Sequence, residues 1–129
     1  MAHKVLIADD DRTHLLALQI RLRSEGFEVI CAQDAYFAVQ QACEGKPDAM
    51  VLDINMPAGD GFTVQERIGR MADLEGIPVI YLTGENSQRV TDLARTHGAF
   101  ALLFKPFDIA DLLTKLREAI DANESIKAA

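Results

Sequence analysis

Basic charge, cysteine and long apolar runs are all scarce in this chain of 129 residues. Lys and Arg number 13 against 20 Asp and Glu, which gives a formal net charge of −7. This balance argues against nucleic acid as a partner, because a phosphate backbone needs a basic face. An acidic chain is suited instead to binding cations or basic protein surfaces.

The remaining absences concern membranes and disulfides. Apolar stretches reach about seven residues, far below the roughly 20 needed to span a bilayer. Residues 1–4 lead directly into a strand-like segment without a secretory apolar region. The two cysteines, Cys31 and Cys43, suggest no disulfide framework, and each is predicted to be a small buried apolar residue. We therefore expect no membrane partner and a cytoplasmic location.

What is present is a regular alternation of apolar runs with helix-period segments. The runs are 5–8, 27–31, 49–52, 77–82 and 100–104. All but the second are almost continuously apolar, which is typical of parallel strands covered by helices on both faces. The pattern predicts an α/β fold with a doubly wound five-stranded sheet and five helices. Asp34 and Asp108 precede helical segments as N-caps. We assign residues 1–123 to one domain and 124–129 to a frayed C-terminal tail.

Polar residues follow four of the five runs, at the edge of an α/β sheet where ligands bind. They are Asp9, Asp10 and Asp11 after the first, Asp53 after the third, Thr83 and Gly84 after the fourth, and Lys105 and Pro106 after the fifth. Singly, each has an ordinary explanation, such as a helix cap or a solvated loop residue. Together, Asp9, Asp10 and Asp53 supply three carboxylates, with a hydroxyl from Thr83 and an ammonium from Lys105. Clustered carboxylates repel one another without a cation, and Mg²⁺ is the natural one.

This set of groups is suited to phosphoryl transfer onto a carboxylate. Asp53 can form an aspartyl phosphate if the donor is in place and its charge is neutralised. We expect Mg²⁺ on Asp9 and Asp10 to neutralise phosphoryl oxygens. Lys105 would add a positive charge, and the Thr83 hydroxyl could donate a hydrogen bond.

The same residues resemble the receiver domains of bacterial two-component response regulators, including the chemotaxis receiver. The matching pieces lie at residues 5–11, 52–57 followed by Asp60 and Gly61, 82–84, and 104–107. Each piece alone is weak, but all four in order along residues 4–120 are a strong signal. The resemblance implies a flavodoxin-like sheet with strand order 2-1-3-4-5.

The resemblance also implies a role for each site residue. Asp53 corresponds to the phosphoacceptor, Thr83 to the switch hydroxyl and Lys105 to the phosphate-binding lysine. The implied metal ligands are Asp9, Asp10, Asp53 and the backbone carbonyl of Asn55. The Lys105–Pro106 bond is expected to be cis. The donor in this family is a phosphohistidine on a sensor histidine kinase or a histidine phosphotransfer protein. The resemblance thus implies a signalling receiver that catalyses its own phosphorylation and dephosphorylation, and we do not expect an enzyme acting on a separate substrate.

One departure concerns the switch. Receivers often carry Tyr or Phe three residues before the lysine, and that position is Leu102 here. Phe100 and Phe104 flank it, and we expect them on the other face of the strand. The usual coupling between the threonine and an aromatic is therefore in doubt. The surface formed by helix 4, strand 5 and helix 5 is our expected partner surface.

Several interpretations stay open at this point. No output segment follows the receiver-like part, so we expect action in trans by protein binding, although a fragment of a longer regulator would look the same. The segment from Asp9 to Thr13 also fits the nucleophile motif of haloacid-dehalogenase-like phosphatases, with Asp9 as nucleophile and Asp11 as acid/base. A degenerate receiver that only binds a partner is a third possibility. His3, His14 and His97 lie far apart without metal-ligand spacing, and His14 as a phosphoryl carrier is disfavoured.

Overall fold

The computed structural model describes residues 2–56 and 59–128 as five strands alternating with five helices. The strands are β1 Lys4–Ala8, β2 Glu28–Ala32, β3 Ala49–Asp53, β4 Val79–Thr83 and β5 Ala101–Phe104. The helices are α1 Arg12–Ser24, α2 Ala35–Gly45, α3 Gly61–Gly69, α4 Gln88–Thr96 and α5 Ile109–Ala128, with a 3₁₀ turn at Ala72–Leu74. Residue 57, the last of the matching piece 52–57, lies outside the described part together with residue 58.

The strands form one parallel sheet in the order β2-β1-β3-β4-β5. The predicted fold class and strand order are therefore confirmed. Because all strands are parallel, their carboxyl ends meet at one edge of the sheet. The order reverses between β1 and β3, which places the ends of those two strands beside the crevice where α/β folds bind ligands.

Short polar caps begin the helices that follow the strands. Asp11, Asp34 and Asp60 each accept a backbone N–H from the first turn of α1, α2 and α3. Asp108 accepts the Ala110 N–H at 3.0 Å at the start of α5. These contacts satisfy donors that a helix N-terminus leaves unpaired. The predicted caps at Asp34 and Asp108 are confirmed.

Two hydrophobic clusters cover the two faces of the sheet. On one face α1 and α5 pack on β1, β3 and β4 through residues such as Leu18, Leu22 and Leu116. On the other face α2, α3 and α4 pack on the same strands, with Tyr81 near the centre. β1 beyond Lys4, and β3 and β4 throughout, are buried, as their continuous apolar runs predict. β5 is only half-buried, because it is an edge strand with one neighbour.

The C-terminal segment differs from its prediction. The sequence predicts a frayed tail at 124–129, but α5 continues to Ala128, and residue 129 lies outside the described part. Ala, Glu and Lys in this segment are good helix formers, and Glu124 Oε1 lies 2.5 Å from His3 Nε2. The division of the chain at residue 123 stays a prediction.

The cysteines also differ from their prediction. Both are free thiols, but Cys43 is exposed and Cys31 only half-buried. Ala38 and Ala42 form the buried side of α2, and Cys43 is turned about 100° from Ala42 around the helix axis, toward solvent. Within the described residues, none of the helices is long and apolar enough to span a bilayer.

Candidate phosphoryl-transfer and metal site

Three carboxylates meet at the carboxyl edge of the sheet. Asp9 follows β1 and Asp53 ends β3, and both are buried, at 0% and 4% exposure. Asp10 is exposed beside them. One oxygen from each lies within 4.8 Å of the others. The predicted juxtaposition of these carboxylates is therefore present, and oxygen ligands of this kind fit a hard divalent cation.

Lys105 brings positive charge to this cluster from the far edge of the sheet. Its Nζ donates to Asp53 Oδ2 at 2.6 Å and lies 3.5 Å from Asp9 Oδ2. The backbone fixes the lysine, because its N–H donates to the Thr83 carbonyl at 2.7 Å just past β5. The Lys105–Pro106 bond is cis, as the resemblance implies.

Burial and charge act against each other at these groups. Burial lowers the pKa of the Lys105 ammonium, but hydrogen bonding and attraction to Asp53 outweigh it, so the pKa is raised. Burial raises the pKa of Asp53, and Lys105 offsets this only in part. At Asp9 burial also raises the pKa, yet hydrogen bonds from Asp11 and His14 and the Lys105 charge bring the net pKa below its ordinary value. Burial thus dominates at Asp53, whose pKa is raised, and hydrogen bonds with positive charge dominate at Asp9, whose pKa is lowered.

The remaining predicted residues lie around the same edge. Thr83 ends β4 and is fully buried, and its Oγ1 accepts the Glu85 N–H at 3.0 Å. Gly84 has open space where a Cβ would stand, which leaves room beside the hydroxyl. The Asn55 N–H donates to Asp53 Oδ1 at 3.0 Å and orients that carboxylate.

One residue at the site was missed by sequence reasoning. His14, in the first turn of α1, places its Nδ1 2.5 Å from Asp9 Oδ2. The sequence signal was available, because a residue three positions after the N-cap Asp11 lies close to the end of the preceding strand. Metal-ligand spacing was the wrong criterion, since His14 contacts a carboxylate of the cluster.

The expectation for β5 is wrong in one respect. Leu102 pairs with Tyr81 and Phe104 with Thr83, and residues two apart on a strand share a face. Phe104 therefore lies on the same face as Leu102. The aromatic on this face at the level of Leu102 is Tyr81 of β4, which is fully buried.

A family comparison shows which family the chain belongs to. Residues 5–117 match the model of the response regulator receiver domain. The chain belongs to this family. It is 40% identical to the transcriptional regulatory protein PrrA of Mycobacterium tuberculosis over 116 residues, covering 88% of this chain and 48% of that relative. It is 35% identical to the transcriptional regulatory protein PdtaR of the same species, covering 97% of this chain and 60% of that relative. The receiver domain thus spans about half the length of the curated relatives it matches.

Solved structures agree with this assignment. A CheY-like receiver domain protein from Methanospirillum hungatei superimposes with a TM-score of 0.90 at 28% identity, covering 97% of this chain and 98% of that one. A putative response regulator from Chloroflexus aurantiacus superimposes with a TM-score of 0.88 at 30% identity, covering 94% of this chain and 99% of that one.

The phosphatase alternative is overturned by these comparisons. The relatives found are response regulators, not haloacid-dehalogenase-like enzymes. The structure supplies a different role for Asp11 as well, because its Oδ1 accepts the backbone N–H groups of Thr13 and His14. The residue cast as acid/base in that interpretation is the cap of α1.

Proposed function

We propose that this receiver domain accepts a phosphoryl group on Asp53 from a phosphohistidine of a sensor histidine kinase or a histidine phosphotransfer protein. It then passes the signal on by binding a partner protein. The observation that carries the proposal is the 2.6 Å contact between Lys105 Nζ and Asp53 Oδ2 beside the carboxylates of Asp9 and Asp10. Family membership supports it, since receiver domains of response regulators are phosphorylated by histidine kinases.

In the transfer, an oxygen of Asp53 forms a bond to phosphorus as the phosphorus–nitrogen bond of the donor breaks. The electron pair of that bond leaves with the donor imidazole. Lys105 balances the charge on the phosphoryl oxygens, and the Asn55 N–H holds the second oxygen of Asp53. The Thr83 hydroxyl accepts the Glu85 N–H and donates to no acceptor among the described residues, so its hydrogen can be donated to the new phosphoryl group.

The donor set also fits the Mg²⁺ that is typical of the family. Asp9, Asp10 and Asp53 would hold it with the backbone carbonyl of Asn55, because their three carboxylates lie together and Lys105 contacts two of them, Asp9 and Asp53. When bound, Mg²⁺ supplies positive charge to the oxygens of the transferring group.

The test uses acetyl phosphate as a small phosphodonor with Mg²⁺ and follows intact mass. We expect one phosphoryl adduct on the wild-type protein, none after addition of a chelator before the donor, and none on Asp53→Asn. Asp48→Asn is the matched control. Asp48 lies at the opposite end of β3, where its Oδ2 accepts the Lys4 N–H, and this variant should be phosphorylated normally.

Two outcomes would contradict the proposal. An adduct on Asp53→Asn would assign the acceptor elsewhere. A wild-type protein that takes no phosphoryl group from either acetyl phosphate or a phosphorylated histidine phosphotransfer protein would favour a degenerate receiver that only binds a partner.

We also propose the surface of α4, β5 and α5 as the partner surface. β5 is the half-buried edge strand and carries Lys105 at its end, so a change at the phosphoryl group reaches this surface directly.

A further inference from the structure

His14 makes a close contact with a buried member of the acidic cluster. Its Nδ1 lies 2.5 Å from Oδ2 of Asp9, whose side chain has no solvent exposure, while the histidine side chain is 28% exposed. An ionised carboxylate only accepts hydrogen bonds, so Nδ1 carries the hydrogen and donates it. His14 therefore acts on the cluster from outside, through Asp9.

Two neighbours hold the His14 ring in this position. The backbone N–H of His14 donates to Asp11 Oδ1 at 3.2 Å, which fixes its place in the first turn of α1. The ring meets Phe107 edge-on, with centroids 5.8 Å apart and planes at 68°. Phe107 follows the Lys105–Pro106 bond, so the ring is packed against the same loop that carries the lysine.

The contact completes the hydrogen bonding of the Asp9 carboxylate. Asp9 Oδ1 accepts the Asp11 N–H at 2.9 Å. Asp9 Oδ2 accepts from His14 Nδ1, and Lys105 Nζ lies 3.5 Å from the same oxygen. Because both oxygens are restrained, the carboxylate cannot rotate freely, and Oδ1, which accepts one hydrogen bond among the described residues, keeps a lone pair for a cation. Without His14, Oδ2 would depend on Lys105 alone and would compete with Asp53 for its ammonium.

We propose that His14 is a positioning residue that orients Asp9 and thereby strengthens binding of a divalent cation in the receiver pocket. The inference rests on the proposed cation site formed by Asp9, Asp10 and Asp53. The inference adds His14 of α1 to the residues that support this site. It predicts that the cation affinity of this chain depends on a hydrogen-bond donor at position 14.

The test measures Mn²⁺ affinity of the full chain from the electron paramagnetic resonance signal of free Mn²⁺, without any phosphodonor. His14→Leu keeps an apolar side chain against Phe107 but removes the donor, and we expect affinity to fall about tenfold. His14→Asn places an amide N–H near the position of Nδ1, and its affinity should stay within about threefold of wild type. His14→Ala provides the same loss of donor if leucine disturbs α1.

His3→Leu is the matched control, because His3 Nε2 also lies 2.5 Å from a carboxylate oxygen, that of Glu124, at the opposite end of the molecule. It should bind Mn²⁺ as wild type does. Circular dichroism of each variant establishes that it is folded before its affinity is compared.

The outcomes separate this inference from the proposed function. If the wild-type protein binds Mn²⁺ and His14→Leu and His14→Ala bind it as tightly or more tightly, the role of His14 is refuted while the cation site stands. Equal weakening in His14→Asn and His14→Leu would also refute it, since the donor would then be irrelevant. If the wild-type protein binds no Mn²⁺, the proposed cation site fails and the inference fails with it.

Discussion

Lys105 is the residue on which the charge balance of the pocket depends. One ammonium serves two buried carboxylates, at 2.6 Å from Asp53 and 3.5 Å from Asp9. Removing one partner of a buried ion pair leaves the other charge uncompensated, which costs more than the pair contributes when intact. The lysine side chain is 29% exposed, so solvent screens part of this effect.

Lys105→Met should lower the free energy of unfolding by about 1–2 kcal/mol in the absence of divalent cations, because Asp9 and Asp53 then repel one another. Chemical denaturation measures this difference. Mg²⁺ should stabilise the variant more than the wild type, since the cation replaces the missing charge. Lys115→Met removes a surface contact with Glu118 at 3.3 Å and should leave stability nearly unchanged. Equal stability of Lys105→Met and wild type would contradict the argument.

The two thiols should differ in reactivity. Burial raises the pKa of Cys31, only partly offset by the charge of Arg23, so less of it is thiolate at a given pH. Cys43 is exposed. Iodoacetamide at neutral pH should therefore modify Cys43 several-fold faster, and the Cys31 rate should rise as pH increases toward its raised pKa. Peptide mass mapping over time measures both rates. Faster modification of Cys31 than of Cys43 at neutral pH would contradict this prediction.

At the scale of elements, the start of α3 is packed tightly against the strand that carries Asp53. A Cβ on Gly61 would lie 2.9 Å from the Asp53 carbonyl oxygen and 3.1 Å from a ring carbon of Tyr81. The Tyr81 hydroxyl in turn donates a hydrogen bond to Gln65 of α3, and the Tyr81 and Phe62 ring centroids are 4.7 Å apart. Gly61 is needed for the close approach of α3 to β3, because the Asp53 carbonyl oxygen belongs to the backbone of the strand and cannot move without distorting it.

Gly61→Ala should reduce the free energy of unfolding by about 1–3 kcal/mol, because the added methyl forces α3 away from β3 and β4. Gly69→Ala lies in the same helix with open space around its position, and it should leave stability unchanged or raise it by up to about 1 kcal/mol. Thermal and urea unfolding of the pair compare the two directly. Similar effects of both changes would mean that α3 can shift without cost.

The elements themselves were largely predictable, because apolar runs and polar caps are local signals. The face of Phe104 was misjudged although the signal is local, because residues two apart on a strand share a face and Phe104 therefore lies with Leu102. Pairing across strands was not predictable in the same way: it places Tyr81 opposite Leu102, so the neighbouring strand contributes an aromatic group at this level. Such a contact depends on register, which no single segment encodes.

At the scale of the whole molecule, the last turns of α5 contribute little to the core. Leu112, Leu116 and Ile120 are buried, whereas Glu124 and Ile126 are exposed. The contact between His3 and Glu124 joins the two ends of the chain at the surface, and exposed pairs of this kind stabilise weakly.

A chain ending at Asn123 should therefore fold cooperatively, with a free energy of unfolding within about 1 kcal/mol of the full chain. Leu116→Ala in the full chain provides the contrast and should lower the free energy of unfolding by about 2–5 kcal/mol, because Leu116 is fully buried. Urea denaturation of both proteins tests the proposed domain end at residue 123. A loss above 2 kcal/mol on truncation would place the domain end further along α5.

The sequence by itself determined the alternation of elements, the burial of the central strands and the residues at the strand ends, because each depends on local pattern and on the parallel arrangement that the pattern requires. Only the tertiary structure decided which atoms meet. Asp9 is contacted by His14 from α1 and by Lys105 from the far side of the sheet, and those two residues are 91 positions apart in the chain. Their meeting depends on how α1 and the β5–α5 loop pack over the sheet edge, and that packing is a property of the whole fold.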